Sequence, residues 1–159
     1  MPPGGTTMRN GTKAPLQVIH AGKDDAVRPF FLWKDAFRLG IAGVDEDHRR
    51  FFDLINELHA AMVRGGDRAD VSGTIAELIV YTRDHFWREE QELRAMSYPH
   101  LDEHESQHRY FTRELERIAR QPTPSALRAL CLARDWLLEH VLGADRKVAV
   151  WLARTGRTR

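Results

Sequence analysis

The sequence predicts an all-α protein, an up-down-up-down four-helix bundle with an N-terminal arm. Three observations carry that expectation. Apolar residues and histidines recur in alternating steps of three and four along four stretches, which places them on one face of a helix in each. The connections between those stretches are short and rich in Gly, Pro and Ser, so consecutive helices turn back on one another. No stretch alternates apolar and polar residues at the period of a strand. With 159 residues, 42% of them hydrophobic, the chain is long enough for one domain with a real core.

Residues 1–27 read as a disordered tail, opening on the breaker-rich Met1-Pro-Pro-Gly-Gly-Thr-Thr. The domain proper is expected over residues 28–154. Its first part, 28–43, carries Phe30, Phe31, Trp33 and Phe37 with Gly40 and Gly43. That many aromatics call for an arm packed on the bundle, because left exposed they would be a sticky patch. The bundle is expected over 44–154, and 155–159 form a basic C-terminal tail.

The first helix opens at Val44, with Asp45 as a candidate cap and a seam of Val44, His48, Phe51, Ile55, Leu58 and Met62. Arg64-Gly65-Gly66 ends it. The second runs from about Asp70 to Met96, with Ile75, Leu78, Thr82, His85, Glu89 and Met96 on its seam, and Ser97-Tyr98-Pro99 breaks it. The third, Leu101 to Arg120, carries Leu101, His104, His108, Phe111, Leu115 and Ile118. A turn at Gln121-Pro-Thr-Pro-Ser125 leads to the fourth, with Leu130, Ala133, Leu137 and His140.

Charge narrows the function classes. Twenty-four Lys and Arg against 23 Asp and Glu leave a formal charge of +1, which gives no electrostatic reason for nucleic acid or an anionic membrane as partner. No apolar run approaches the roughly 18 residues of a membrane span. The single cysteine, Cys131, excludes an internal disulfide and suits a reducing compartment. A cytoplasmic protein is expected.

The unusual count is eight histidines. His48, His85, His104, His108 and His140, together with Glu89, occupy seam positions where Leu and Ile belong. One core histidine is ordinary; five on four helices are not. Each unpaired buried polar group costs about 1–3 kcal/mol, against a whole stability of about 5–15 kcal/mol. A metal would satisfy them together. His85 and Glu89 are i,i+4, about 6 Å apart on one face, and His104 and His108 repeat the spacing. Asp145 lies at i,i+5 from His140, off a regular helical face, yet Val148 and Leu152 resume the seam from it. A π-type bulge at Leu142-Gly143-Ala144 restores Asp145 to the core.

Five imidazoles supply five donor atoms. Two carboxylates, if each bridges two metals, supply four, and a bridging oxo or hydroxo group fills one position on each metal. Two octahedral metals then keep one position open. A mixed imidazole and carboxylate set suits iron.

These residues resemble the hemerythrin family, in particular its bacterial single-domain members. The matching segments are Gly40-Ile-Ala-Gly-Val-Asp-Glu-Asp-His48, His85-Phe-Trp-Arg-Glu89-Glu90, Tyr98-Pro99 with His104-x3-His108, and Trp136-Leu-Leu-Glu-His140-x4-Asp145. The resemblance implies two irons bridged by Glu89, Asp145 and an oxo or hydroxo group, with reversible O2 binding and azide or other small anions as ligands of the oxidised state. It implies that His104, His108 and His140 hold the six-coordinate iron, and His48 and His85 the one that takes O2. It also implies an apolar O2 pocket of Phe51, Phe86, Trp136, Leu137 and Val141. Phe51 departs from the Leu common in the family, and Asp47 from its usual Gln; Asp47 is expected to face solvent.

Other readings follow from the same residues. A di-iron centre with an open position could reduce peroxide or nitric oxide, or sense oxygen or iron. A sensor calls for an output domain, and none is expected here. His104-Glu105-Ser106-Gln107-His108 spells the zinc-peptidase pattern H-E-x-x-H, but that reading leaves His48, His85, Glu89 and Asp145 without a purpose. A ferritin-like oxidase needs two E-x-x-H motifs, and only Glu105-x-x-His108 fits. Of the remaining residues, His20 is expected in the tail, His59 at a rim of the core, His100 exposed, and Glu90 at the surface or behind a ligand.

Overall fold

The computed structural model describes residues 27–157; the expected tail, with His20, lies outside that range but for Val27, as do residues 158 and 159. Among the described residues there are helices and no strands. The helices are α1 (Ala42–Val63), α2 (Arg68–Ala95), α3 (Leu101–Ala119) and α4 (Ala126–His140), then a π-helical turn Val141–Asp145 that leads directly into α5 (Arg146–Thr155). α1 packs on α2 and α4, and α3 on the same two, closing a four-membered ring of antiparallel rods.

The helix ends explain the short connections. α1 stops where Gly65 takes φ 66°, and the Gly66 N–H donates to Ala61 O at 2.9 Å. A side chain on Gly66 would put its Cβ 2.8 Å from that oxygen, so glycine is required there. Asp67 caps α2, accepting from the N–H groups of Ala69 and Asp70, while Asp70 answers with its own carboxylate on Asp67 N–H. At the far end Ser97 turns left-handed (φ 57°) and Tyr98 N–H donates to Leu93 O at 2.9 Å. The buried rings and branches of Tyr98 and Leu93 then pack together, the apolar contact that accompanies this stop. Leu93, fully buried, takes the seam place expected of Met96, which is half-buried. Ser125 caps α4 through Arg128 N–H.

Asp45 is not the cap of α1. The helix opens earlier, at Ala42, and Asp45 sits inside its first turn. Its carboxylate reaches back to accept Leu39 N–H at 2.8 Å and Gly40 N–H at 3.1 Å. Gly40 (φ 80°) makes the bend that brings those donors round.

The arm lies on the bundle. Phe31 stacks on Phe52 of α1 at 4.1 Å, and Asn56 both accepts Phe31 N–H and donates to Phe31 O, at 2.8 Å each. Phe37, in a 3-10 turn over Asp35–Phe37, is buried against the same ring. Each buried side chain of this size stabilises the fold by about 1.5–3 kcal/mol. Arg146 of α5 donates to Ala36 O and Arg38 O, which fastens the arm to the last helix. His59 is half-buried and stacks on Phe30 at 5.2 Å, and His100 is exposed.

The core has two apolar parts. The larger runs from the arm to Phe86, Phe111, Leu137 and Val141. The smaller is Leu93, Tyr98, Val148 and Leu152. On α2, α3 and the α4–α5 rod the polar seam residues fall between these two parts, so a polar layer crosses an apolar interior.

Candidate metal centre

All four rods contribute to that layer. α1 gives His48, α2 His85 and Glu89, α3 His104 and His108, α4 His140, and the π turn Asp145. All seven are 1–3% exposed. The π turn performs the register slip that the His140–Asp145 spacing requires: by widening one turn it holds both residues on the inner face, and Val148 and Leu152 follow them in.

The seven polar ends converge. Donor atoms of Glu89, His104, His108 and His140 all lie within 4.8 Å of one another, close enough to hold one cation. Beside them, His48 Nε2 is 3.2 Å from Asp145 Oδ2, and the His48 and His85 rings are 5.7 Å apart. Asp145 turns its other oxygen, Oδ1, to His140 Nε2 at 3.2 Å and His104 Nε2 at 3.6 Å. Glu89 Oε2 lies 3.5–3.8 Å from Nε2 of His104, His108 and His85. Both carboxylates therefore touch imidazoles of both groups.

The outer nitrogens of three rings are engaged. His108 Nδ1 is 2.9 Å from Glu90 Oε1, His140 Nδ1 2.9 Å from Gln107 Oε1, and His85 Nδ1 3.2 Å from Asp47 Oδ2. A carboxylate or an amide oxygen can only accept, so each Nδ1 carries a proton and each ring is turned with Nε2 inward. His108 Nε2 and His140 Nε2 are 2.9 Å apart. Burial, with His140 beside it, holds the His108 imidazole well below its ordinary pKa, so it remains neutral. A proton on one of the two nitrogens, or a cation between them, is what lets them stand that close. Four buried donors within 4.8 Å of one another, with Asp145 beside them turning one oxygen to His48 and the other to His140, fit a metal.

The carboxylates fit as well. Burial pushes Asp145 up, but His140 and His48 outweigh it and hold the group well below the usual carboxylate range. Burial pulls His48 down, and Asp145 more than reverses it. Burial raises Glu90.

Phe51, Phe86, Trp136, Leu137 and Val141 are buried in one apolar cluster against the donors. Phe86 lies flat on His108 at 3.7 Å, Trp136 on His140 at 4.3 Å, and Phe51 meets His85 edge-on at 6.2 Å. Glu105, the glutamate of the H-E-x-x-H pattern, turns outward to pair with Arg94 and Arg109. It is not placed to activate water on a metal held by His104 and His108.

Asp47 corrects the sequence reading. It does not simply face solvent: it contacts His85, Arg88 and Tyr81. Gln107, behind His140, was not singled out at all. Both precede a histidine of the layer, and a residue one step along a helix is turned by about 100° toward the neighbouring helix. That step marks them as flank residues; the packing of the rods settles which of them meets a neighbouring helix.

The family model of the hemerythrin HHE cation-binding domain matches residues 39–152. The chain belongs to the hemerythrin family, a family of di-iron proteins. It is 32% identical over 123 residues to a bacteriohemerythrin of Stenotrophomonas maltophilia, covering 74% of this chain and 78% of the relative. It is 30% identical over 125 residues to a bacteriohemerythrin of Clostridium acetobutylicum, covering 74% and 97%. A myohemerythrin of Theromyzon tessulatum is 28% identical over 117 residues, covering 74% and 89%. A solved crystal structure of a point mutant superposes with a TM-score of 0.71 at 21% identity, covering 76% of this chain and 95% of that one; that likeness speaks for the fold alone. No described helix is long and apolar enough to cross a membrane.

Proposed function

We propose that this chain is a non-haem di-iron protein that binds O2 reversibly, as a carrier or store rather than an enzyme, through the domain over residues 28–154. His104, His108 and His140 would hold one iron, His48 and His85 the other, and Glu89 and Asp145 would bridge. The observation that carries this is the position of Asp145, which offers Oδ2 to His48 and Oδ1 to His140 and His104. A carboxylate with one oxygen toward each histidine group is suited to join two metals. Held there, an iron pair would supply the reversible redox chemistry that binding and release of a small diatomic ligand require.

The protein's own residues do the rest. Glu90, Gln107 and Asp47 fix three imidazoles with Nε2 inward. Phe51, Phe86, Trp136, Leu137 and Val141 form an apolar wall that excludes water from the side of the site they cover. Excluding water removes the proton source that would turn a reversible ligand into a leaving group. The lone Cys131 and the absence of a spanning helix among the described residues support a cytoplasmic location.

One observation favours a second reading, reduction of peroxide or nitric oxide. A cavity of about 370 Å³, lined by Ile41 and Val44 as well as Asp47, Arg88 and Glu92, reaches His85 and Glu89 from the surface, and its charged groups would admit protons. The two readings separate in one experiment. Iron analysis should give about two irons per chain. Anaerobic reduction, exposure to O2 and removal of O2 should then cycle the visible spectrum without loss. One zinc and no iron would end the di-iron reading; a spectrum that oxidises once and never returns would favour the reductase.

A further inference from the structure

We propose that Asp47 is a positioning residue for the His48–His85 half of the centre: its carboxylate, anchored by Arg88 and Tyr81, locks the His85 ring with Nε2 toward the metal. This rests on the metal reading above.

The carboxylate is held on both oxygens. Oδ2 accepts from His85 Nδ1 at 3.2 Å and Arg88 Nη1 at 3.0 Å; Oδ1 accepts from the Tyr81 hydroxyl at 3.1 Å and Arg88 Nη2 at 3.4 Å. Arg88 is fixed in turn by Asp84 at 3.1 Å, and Tyr81 is 3.0 Å from Asp47 O. All three partners lie on α2: Tyr81 is one turn before His85 and Arg88 one turn after it. The Tyr81 and His85 rings are nearly parallel, 6° apart in plane. Asp47 thus ties α1 to α2 at the level of the ligand, with both carboxylate oxygens engaged.

The two halves depend on such support unequally. In the three-histidine half, His108 and His140 each have their own outer partner, Glu90 and Gln107. In the two-histidine half, His48 Nδ1 is buried without a hydrogen-bond partner among the described residues. Asp47 is therefore the hydrogen-bonded outer support seen in that half. A ligand histidine that loses its outer acceptor can turn or change tautomer, and such losses cost about 10- to 100-fold in metal affinity. A carboxylate acceptor also makes the imidazole a stronger donor than an amide would, which is the difference between Asp47 here and the Gln common at that place in the resembling family. The same residue lines the cavity that reaches His85 and Glu89, so the clamp stands where a small ligand or water would enter.

The test is titration of the metal-free full chain with cobalt(II), followed by its visible absorption, which needs no O2 chemistry. Wild type should take two equivalents. Asp47→Ala should weaken one site about 10- to 100-fold and leave the other within about threefold, with the spectral change confined to the weakened site. Asp47→Asn keeps an acceptor oxygen and the shape, so it should recover part of the loss and guards against a folding artefact. Gln107→Ala should weaken the opposite site. Unchanged affinity at both sites in Asp47→Ala overturns the proposal. Equal weakening of both sites, in Ala and Asn alike, also overturns it, because Asp47 would then serve the bundle as a whole. If wild type itself takes fewer than two cobalt ions, the di-metal reading is what fails.

Discussion

Replacing Phe51 with alanine tests the apolar wall beside the two-histidine half of the centre. The ring is fully buried and has aromatic neighbours on every side: Tyr81 at 5.8 Å, Phe111 at 6.0 Å, His85 at 6.2 Å and Phe86 at 6.4 Å. Because those neighbours are themselves packed, the space left by the ring cannot close. A Phe→Ala change in such a place costs roughly 3–5 kcal/mol. For a domain of this length each kcal/mol moves the melting point by about 2–4 °C, so the drop should be roughly 6–20 °C. The vacated volume lies against His85, in the half where the small ligand is expected. Stopped-flow mixing of the oxidised, iron-loaded variant with azide should therefore show faster binding. The oxygenated form should decay faster too, since water gains the same space. Phe51→Leu should fall between the two in both respects. A melting point within about 2 °C of wild type, with an unchanged azide rate, would show that the ring neither packs the core nor limits access.

Metal removal should lower the melting temperature, because binding to the folded state alone adds to stability by mass action; equal melting of apo and loaded protein would mean that the buried donors are satisfied without metal. Asp145→Ala should reduce iron content from about two per chain toward one or none, since it takes an oxygen from both histidine groups; two retained irons by elemental analysis would contradict the bridging role. Acid should destabilise the metal-free protein partly through Asp47. Burial raises that carboxyl, but His85 and Arg88 overcome it and hold the folded value below the ordinary one. The contribution is therefore fully present above the unfolded pKa of about 4 and is lost as pH falls from there toward the folded value. Urea midpoints of wild type should drop between pH 5 and 3 more steeply than those of Asp47→Asn; parallel curves would deny the interaction.

Much of the fold was legible because period and punctuation agree. Four amphipathic stretches, each ended by Gly or Pro, leave little choice but a bundle. The seven polar seam residues stood out because a core position is costly for them, and the i,i+5 step to Asp145 announced the π turn. What escaped was side-to-side geometry. Asp45 looked like a cap, and only the fold of Leu39 and Gly40 behind it reveals that its carboxylate bonds the preceding bend. Asp47 and Gln107 lie off the seam by one residue. Whether such a residue meets water or the neighbouring helix depends on the rotation of each rod in the bundle, and a hydrophobic period of one helix does not specify that angle between two.

The widened turn at Val141–Asp145 sets more than one thing. α4 and α5 form a single rod from Ala126 to Thr155, and the extra residue is absorbed within it. Straightening that turn while keeping its residues would swing everything beyond it by about 100°. Asp145 would leave the interior, and Val148 and Leu152 would leave with it, opening the small apolar plug they make with Leu93 and Tyr98. Arg146, which grips the arm through Ala36 and Arg38, would turn as well. A bridging carboxylate, the plug beneath it and the latch on the arm thus share one phase, like teeth cut on the same gear. Point substitutions can weaken any of the three alone, but re-aiming one re-aims them all.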